Sequence, residues 1–252
     1  MKSTIKVILL LKGILCSSPN TRGIHYDSFE GYDESTEVVD LSYKGIGSLG
    51  SAIGALENLN WLNLSVNLLE ELPNEFCDLV NLENLDIWGN RLKLLPDGIG
   101  NLKEMNLSEN QLKVLPKSFD NLANLEKLLI SNNGLTSLPT SIGKLTKLKV
   151  LDLSENKLTV FPDEVCKLEN LEELRISNNG LKSLPKNIGN LKKLKEMNLN
   201  DNKLKGLPKK IEELSGILKR LYLRRNDIQG ADGDGTIGEK RLLELFGDRV
   251  KF

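Results

Sequence analysis

From Glu37 to Ile228 the chain repeats one pattern of apolar and polar positions, Leu-x-x-Leu-x-Leu-x-x-Asn, followed from Asn67 to Asn202 by a proline six residues after the asparagine. The asparagines stand at Asn67, Asn90, Asn110, Asn133, Asn156, Asn179, Asn202 and Asn226, and Lys44 takes that slot in the first of nine units. Successive slots are 23 residues apart, except for 20 from Asn90 to Asn110 and 24 from Asn202 to Asn226. The alternation in Leu62-Asn63-Leu64 or Leu151-Asp152-Leu153 has the period of a strand with one buried face. Each asparagine falls where the chain turns out of its strand, and its amide can satisfy backbone groups that the turn leaves unpaired. The Leu-Pro step, as at Leu72-Pro73, disfavours helix at the leucine and fixes the proline torsion, which starts a return segment. Inward residues such as Ile188 and Leu191 follow on that return.

One unit cannot bury its own apolar edge, so the pattern predicts units stacked strand on parallel strand, with stability shared between neighbours. Compared with Asn190–Leu199, the segment Asn101–Leu107 lacks three residues. The loss falls on the return, so the strand at Met105–Leu107 is expected to stay in place. A stack exposes its core at both ends and needs covers. Val7–Leu15 supply apolar matter for one end, and Leu242, Leu243, Leu245 and Phe246 for the other, where Glu239–Phe246 has the spacing of a short amphipathic helix. Cys16–Ser35 reads as irregular chain. The expected organisation is an N-terminal cap and irregular segment at 1–36, nine repeats at 37–228 and a C-terminal cap with a short helix at 229–252.

Composition fits a globular chain: 252 residues, 39% hydrophobic and 27% charged. With 34 basic and 35 acidic residues, no global charge steers the protein to nucleic acid or to an anionic membrane. No stretch approaches the roughly 20 apolar residues of a membrane span. Cys77 and Cys166 share a repeat position four units apart, beyond disulfide reach, and both read as buried small hydrophobes. Three cysteines without a cluster favour a reducing compartment.

Chemistry-bearing motifs are sparse. Asp232-Gly233-Asp234-Gly235-Thr236-Ile237 matches the middle of a calcium-binding loop, but Gly230 and Arg241 stand where the first and last acidic ligands belong. The single histidine, His25, is expected as a solvated loop residue, and no nucleophile–base pair accompanies it. The chain is therefore expected to be no enzyme, with no catalytic residues, no cofactor and no metal site.

Between the leucines, the intervening strand residues point to the opposite face of the sheet. Units one to three offer Val38, Asp40, Ser42 and Tyr43, then Trp61, Asn63, Ser65 and Val66, then Asn84, Asp86 and Trp88. The middle units offer Glu104, Glu109, Asp152, Glu155, Glu173, Glu196 and Asp201, with Lys127 and Arg175 between them. The last unit turns basic and aromatic at Arg220, Tyr222, Arg224 and Arg225. Trp, Tyr and Arg dominate interface hot spots. The candidate partner-binding residues are accordingly Tyr43, Trp61, Asp86, Trp88, Asp152, Arg175, Arg220, Tyr222, Arg224 and Arg225, with the two tryptophans bordering one patch.

The asparagine ladder, the 23-residue period, the Leu-Pro step and the opening Glu37-Val-Val-Asp-Leu-Ser-Tyr-Lys-Gly-Ile46 resemble the leucine-rich-repeat family, within it the Ras-group proteins: Ras suppressor proteins and plant intracellular relatives. Lys44 for the first asparagine, Gly50 for the first proline and the shortened third unit depart from that pattern. The resemblance implies an α/β leucine-rich-repeat solenoid, a curved right-handed superhelix with a parallel sheet on its concave face and short irregular or helical turns on its convex face. It also implies a monomeric, cytoplasmic, non-enzymatic adaptor in signalling that binds a protein on the concave face, such as a small GTPase, a phosphatase or another signalling protein. The alternative is a secreted interaction or effector protein of a microbe or parasite, if residues 1–18 act as a signal peptide.

Overall fold

The computed structural model describes residues 23–99, 101–228 and 235–252. The apolar segment Val7–Leu15, Cys16, and Asp232 and Asp234 of the calcium-loop match lie outside the described residues. Strands run as β1 (Ile24–Tyr26), β2 (Val38–Asp40), β3 (Ile46–Leu49), β4 (Trp61–Asn63), β5 (Asn84–Asp86), β6 (Glu104–Asn106), β7 (Lys127–Leu129), β8 (Val150–Asp152), β9 (Glu173–Arg175), β10 (Glu196–Asn198), β11 (Leu207–Pro208), β12 (Arg220–Tyr222), β13 (Thr236–Ile237) and β14 (Val250–Lys251), with one α-helix, α1 (Glu239–Phe246). Ten of them form one parallel sheet, ordered β14-β12-β10-β9-β8-β7-β6-β5-β4-β2. This is the expected solenoid: each unit adds one strand beside its predecessor.

The repeat positions explain the elements. The middle residue of each of these strands from β2 to β12, from Val39 and Leu62 to Leu221, is buried, and so are most leucines and isoleucines of the turns and returns, such as Leu69, Leu72, Ile142 and Leu145. They join one continuous core. After the strand, the residue before each asparagine slot takes a left-handed conformation: Tyr43, Val66, Gly89, Glu109, Asn132, Glu155, Asn178, Asp201 and Arg225 all have φ between 49° and 67°. The asparagine then bridges two units. In all eight, Nδ2 donates to a carbonyl of the preceding unit at 2.8–3.0 Å, as from Asn67 to Leu41 and from Asn156 to Ile130. Its Oδ1 accepts a backbone N–H of that unit, as from Leu135 to Asn156 at 3.0 Å. Among the described residues β2 is the end strand of the sheet, and in its unit Lys44 replaces the asparagine. On the return, a proline with φ near −66° precedes a one-turn 3-10 helix, as at Pro73 before Asn74–Asp78.

In the shortened third unit the return is a turn at Asp97 and Gly98, the latter with φ +104°. The Asp97 carbonyl accepts from the Cys77 thiol at 2.9 Å, and its carboxylate accepts from the Ser118 hydroxyl at 2.7 Å. The tightened turn is thus tied to both neighbouring units, and β6 keeps its pairing with β5 and β7. Cys77 is half-buried rather than buried because this turn covers less than a full return would. Cys166 is buried as expected, and both thiols are free. Burial pushes the Cys166 thiol up to about 11.

The ends depart from the sequence reading in three ways. His25 lies in a strand, since β1 pairs in parallel with β3, and its Nδ1 lies 2.7 Å from the Ser48 hydroxyl. No repeat marks this strand in the sequence. The glycine that replaces the first proline follows from the same contact: a Cβ on Gly50 would overlap the Asp27 carboxylate, and the Gly50 N–H donates to the Tyr26 carbonyl. At the other end α1 buries Leu242 and Phe246, while Leu243 is exposed, because it lies about 100° around the helix from Leu242. Past α1, Val250–Lys251 extends the main sheet beside β12. Arg249 ties this cap down, donating to the carbonyls of Ser215 and Leu218 at 2.6 and 2.8 Å, with its guanidinium over the Phe246 ring. Arg241, at the last ligand position of the calcium-loop match, pairs with Glu212 and Glu244.

Candidate functional site

The strand face that points away from the core carries the side chains that vary from unit to unit. Its residues at the end of each strand have a backbone duty first. A carboxylate or amide at Asp40, Asn63, Asp86, Asn106, Asp152 or Asn198 accepts the N–H two residues on, at 2.9–3.2 Å. The turn this makes tucks the following serine under the sheet rim, so Ser65, Ser108 and Ser154 are buried. Ser65 is therefore no surface residue, contrary to the strand-face reading. Two candidates, Asp86 and Asp152, share in this row, holding the N–H groups of Trp88 and Ser154.

The register brings like positions side by side and decides which charges cancel. Glu196 stands opposite Arg220 across β10 and β12, and the two form an ion pair. Arg225 reaches Asp201 at 2.9 Å. Arg175 pairs with Glu173 on its own strand and lies 3.8 Å from Asp152. The basic cluster of the last unit is therefore largely answered by the acidic unit before it; Arg224 is exposed, and Tyr222 is half-buried on the same strand. In the first four units the balance differs. Among the described residues no lysine or arginine lies within ion-pair distance of Asp40, Asp86 or Glu109. The unanswered acidic charge sits beside the tryptophans, a property visible only once the strands are in register.

Trp61 and Trp88 are both half-buried, and Tyr43 at the rim is 72% exposed. Trp61 opens β4 and forms one wall of a cavity of about 150 Å³ with Asn84, Asp86, Glu104, Asn106, Lys127 and Leu129. Trp88 lies past the far end of β5, outside that lining. Glu104, Asn106, Lys127 and Leu129 are not among the candidates chosen from sequence. Their signal is positional: they occupy on β6 and β7 the places that Trp61, Asn84 and Asp86 occupy on β4 and β5. A larger hollow of about 610 Å³ lies off this face, against Phe29, Tyr32 and the 3-10 helix Ser51–Ala55.

Among the described residues no group of three His, Cys, Asp or Glu side chains is placed to hold a metal, and no helix is long and apolar enough to cross a membrane.

Known proteins share this arrangement. The chain is 37% identical over 81 residues to leucine-rich repeat and fibronectin type III domain-containing protein 1 of Rattus norvegicus, a match covering 31% of this chain and 11% of the rat protein. The solved structure of PEPR1–AtPEP1 superposes with a TM-score of 0.67 at 29% identity, covering 76% of this chain and 28% of that one. The internalin InlF of Listeria monocytogenes has the same fold, with a TM-score of 0.69 at 21% identity over 86% of this chain and 61% of its own. The leucine rich repeat family model matches residues 34–92, 94–135, 123–181 and 169–228, so with its strand sheet and asparagine ladder this chain belongs to the leucine-rich-repeat family.

Proposed function

We propose that this protein is a non-enzymatic interaction scaffold whose exposed strand face binds a folded protein partner. Leucine-rich-repeat domains generally mediate protein–protein interaction, which is the coarse ground for the reading. The observation that carries it further is the division of labour among positions. Leucine, asparagine and proline slots are spent on the core, the ladder and the return, whereas the strand face varies and holds Trp61 at a cavity beside the unanswered Asp86 carboxylate. Tryptophan is enriched among the few residues that supply most of the free energy in protein interfaces.

The Ras-group resemblance supports an adaptor role in intracellular signalling, with a small GTPase, a phosphatase or another signalling protein as partner. The absence of a cysteine cluster agrees with a reducing compartment. A secreted protein is the second reading, favoured by the apolar run Val7–Leu11 behind two lysines. Mass determination of the mature N-terminus separates the two: an intact Met1 region supports the first, cleavage near Ser18 the second. For the binding role, affinity capture with Trp61→Ala/Trp88→Ala is expected to lose a partner that the unaltered protein retains, while circular dichroism stays the same. Retention of every captured protein would count against it.

A further inference from the structure

The cavity at Trp61 is smaller than a typical small-molecule site and of a size to take one inserted side chain. Small-molecule sites run to about 300–1,000 Å³, and this one holds about 150 Å³. Its charged walls are Asp86, Glu104 and Lys127, two carboxylates against one ammonium, for a net charge of −1. Lys127 pairs with Glu104 at 3.4 Å, both side chains well exposed. Asp86 spends Oδ1 on the Trp88 N–H and has no cationic neighbour among the described residues. Asn84 and Asn106 add amide groups, and the half-buried Trp61 indole forms the one aromatic wall.

We propose that this cavity receives an arginine side chain from a basic segment of the protein partner. The proposal rests on the strand-face reading above and names the chemistry it selects. An indole wall next to an unanswered carboxylate suits a guanidinium, whose plane stacks on the ring while its N–H fork reaches the acid. Lysine, a compact and more strongly hydrated charge, uses the second group and gains less from the first. An acidic side chain would meet two carboxylates, and an apolar one would strip water from them without replacing their hydrogen bonds. Asp40 and Glu109, likewise without ion-pair partners among the described residues, extend the negative field across the first four units toward the flanking basic residues of such a segment.

The test uses the full chain and four probe peptides, acetyl-Gly-X-Gly-amide with X as arginine, lysine, citrulline or glutamate. The readout is the indole N–H resonance of Trp61, assigned with Trp88→Phe, since the chain has two tryptophans. The arginine peptide is expected to shift the Trp61 signal saturably, more tightly than lysine, and the isosteric but neutral citrulline at least about tenfold more weakly. Asp86→Asn is expected to weaken the arginine peptide about tenfold with the fold unchanged, because asparagine already makes the same backbone turn at Asn63 and Asn106. No shift with arginine, an equal shift with citrulline or glutamate, or an Asp86→Asn titration matching the unaltered protein would overturn the proposal. The two readings fail separately. Loss of a captured partner in Trp61→Ala/Trp88→Ala without any peptide response removes only the arginine pocket, whereas a peptide response alongside unaltered capture removes the broader role and, with it, that partner as the source of the arginine.

Discussion

Asparagine does in this protein what a short backbone segment would otherwise have to do. Its amide is one acceptor and two donors at a fixed spacing, and at Asn156 the amide contacts Leu135, Ile130 and Leu153 with distances of 3.0–3.1 Å while the residue is buried. Asn156→Ala removes those partners without admitting water, so it is expected to cost roughly 3 kcal/mol in urea unfolding, against well under 1 kcal/mol at an exposed lysine. The residue before the ladder poses the opposite case. Val66 has φ 53°, where a β-branched side chain is strained, whereas Asn132 and Asn178 occupy the same slot at 49° and 52°. Val66→Asn is expected to raise stability by about 1 kcal/mol, read as a higher urea midpoint at unchanged slope. The asparagine ladder could be read from spacing because every unit repeats the same geometry. The left-handed residue could not, since Tyr, Val, Gly, Glu, Asn, Asp and Arg all fill it and the required φ leaves no single residue type as its mark.

At the scale of elements, register creates interactions that no single unit contains. Just before the strands, Glu83, Lys103, Glu126, Lys149, Glu172 and Lys195 alternate in sign over six consecutive units. Lys103–Glu83, Lys149–Glu126 and Lys195–Glu172 are paired at 2.7, 2.6 and 2.5 Å. Hydrogen bonding to the lysine holds the Glu126 and Glu172 carboxyls below the usual glutamate range. A carboxyl depressed in the folded state contributes stability above its unfolded pKa and loses it as pH falls through the folded value. Melting temperature is therefore expected to drop on acidification below the ordinary glutamate range, less steeply in high salt and in Glu126→Gln/Glu172→Gln. Acid limbs that superimpose for the variant and the unaltered protein would show that the row contributes nothing. The strands, the returns and helix α1 were legible from apolar spacing. The pairing of β1 with β3 and of β14 with β12 was not, because short strands outside a repeat carry no periodic mark, and neither was the cancellation of Arg220 by Glu196, which exists only across two strands.

For the whole molecule, the core is a continuous stack to which each unit contributes equivalent slots, so a change in the scaffold is shared with its neighbours while a change on the strand face is not. That separation lets binding be altered without unfolding. It also defines a rival surface: Leu94, Val114 and Val160 are 64, 50 and 69% exposed at one shared repeat position off the strands. The most direct measurement is the affinity of a captured partner for two triple variants of equal stability, Trp61→Ala/Asp86→Asn/Glu109→Gln on the strand face and Leu94→Ser/Val114→Ser/Val160→Ser on the outer rim. Binding through the strand face predicts that the first variant loses at least about tenfold in affinity, as removal of an interface anchor does, and that the second binds like the unaltered protein. Loss confined to the rim variant would contradict the account.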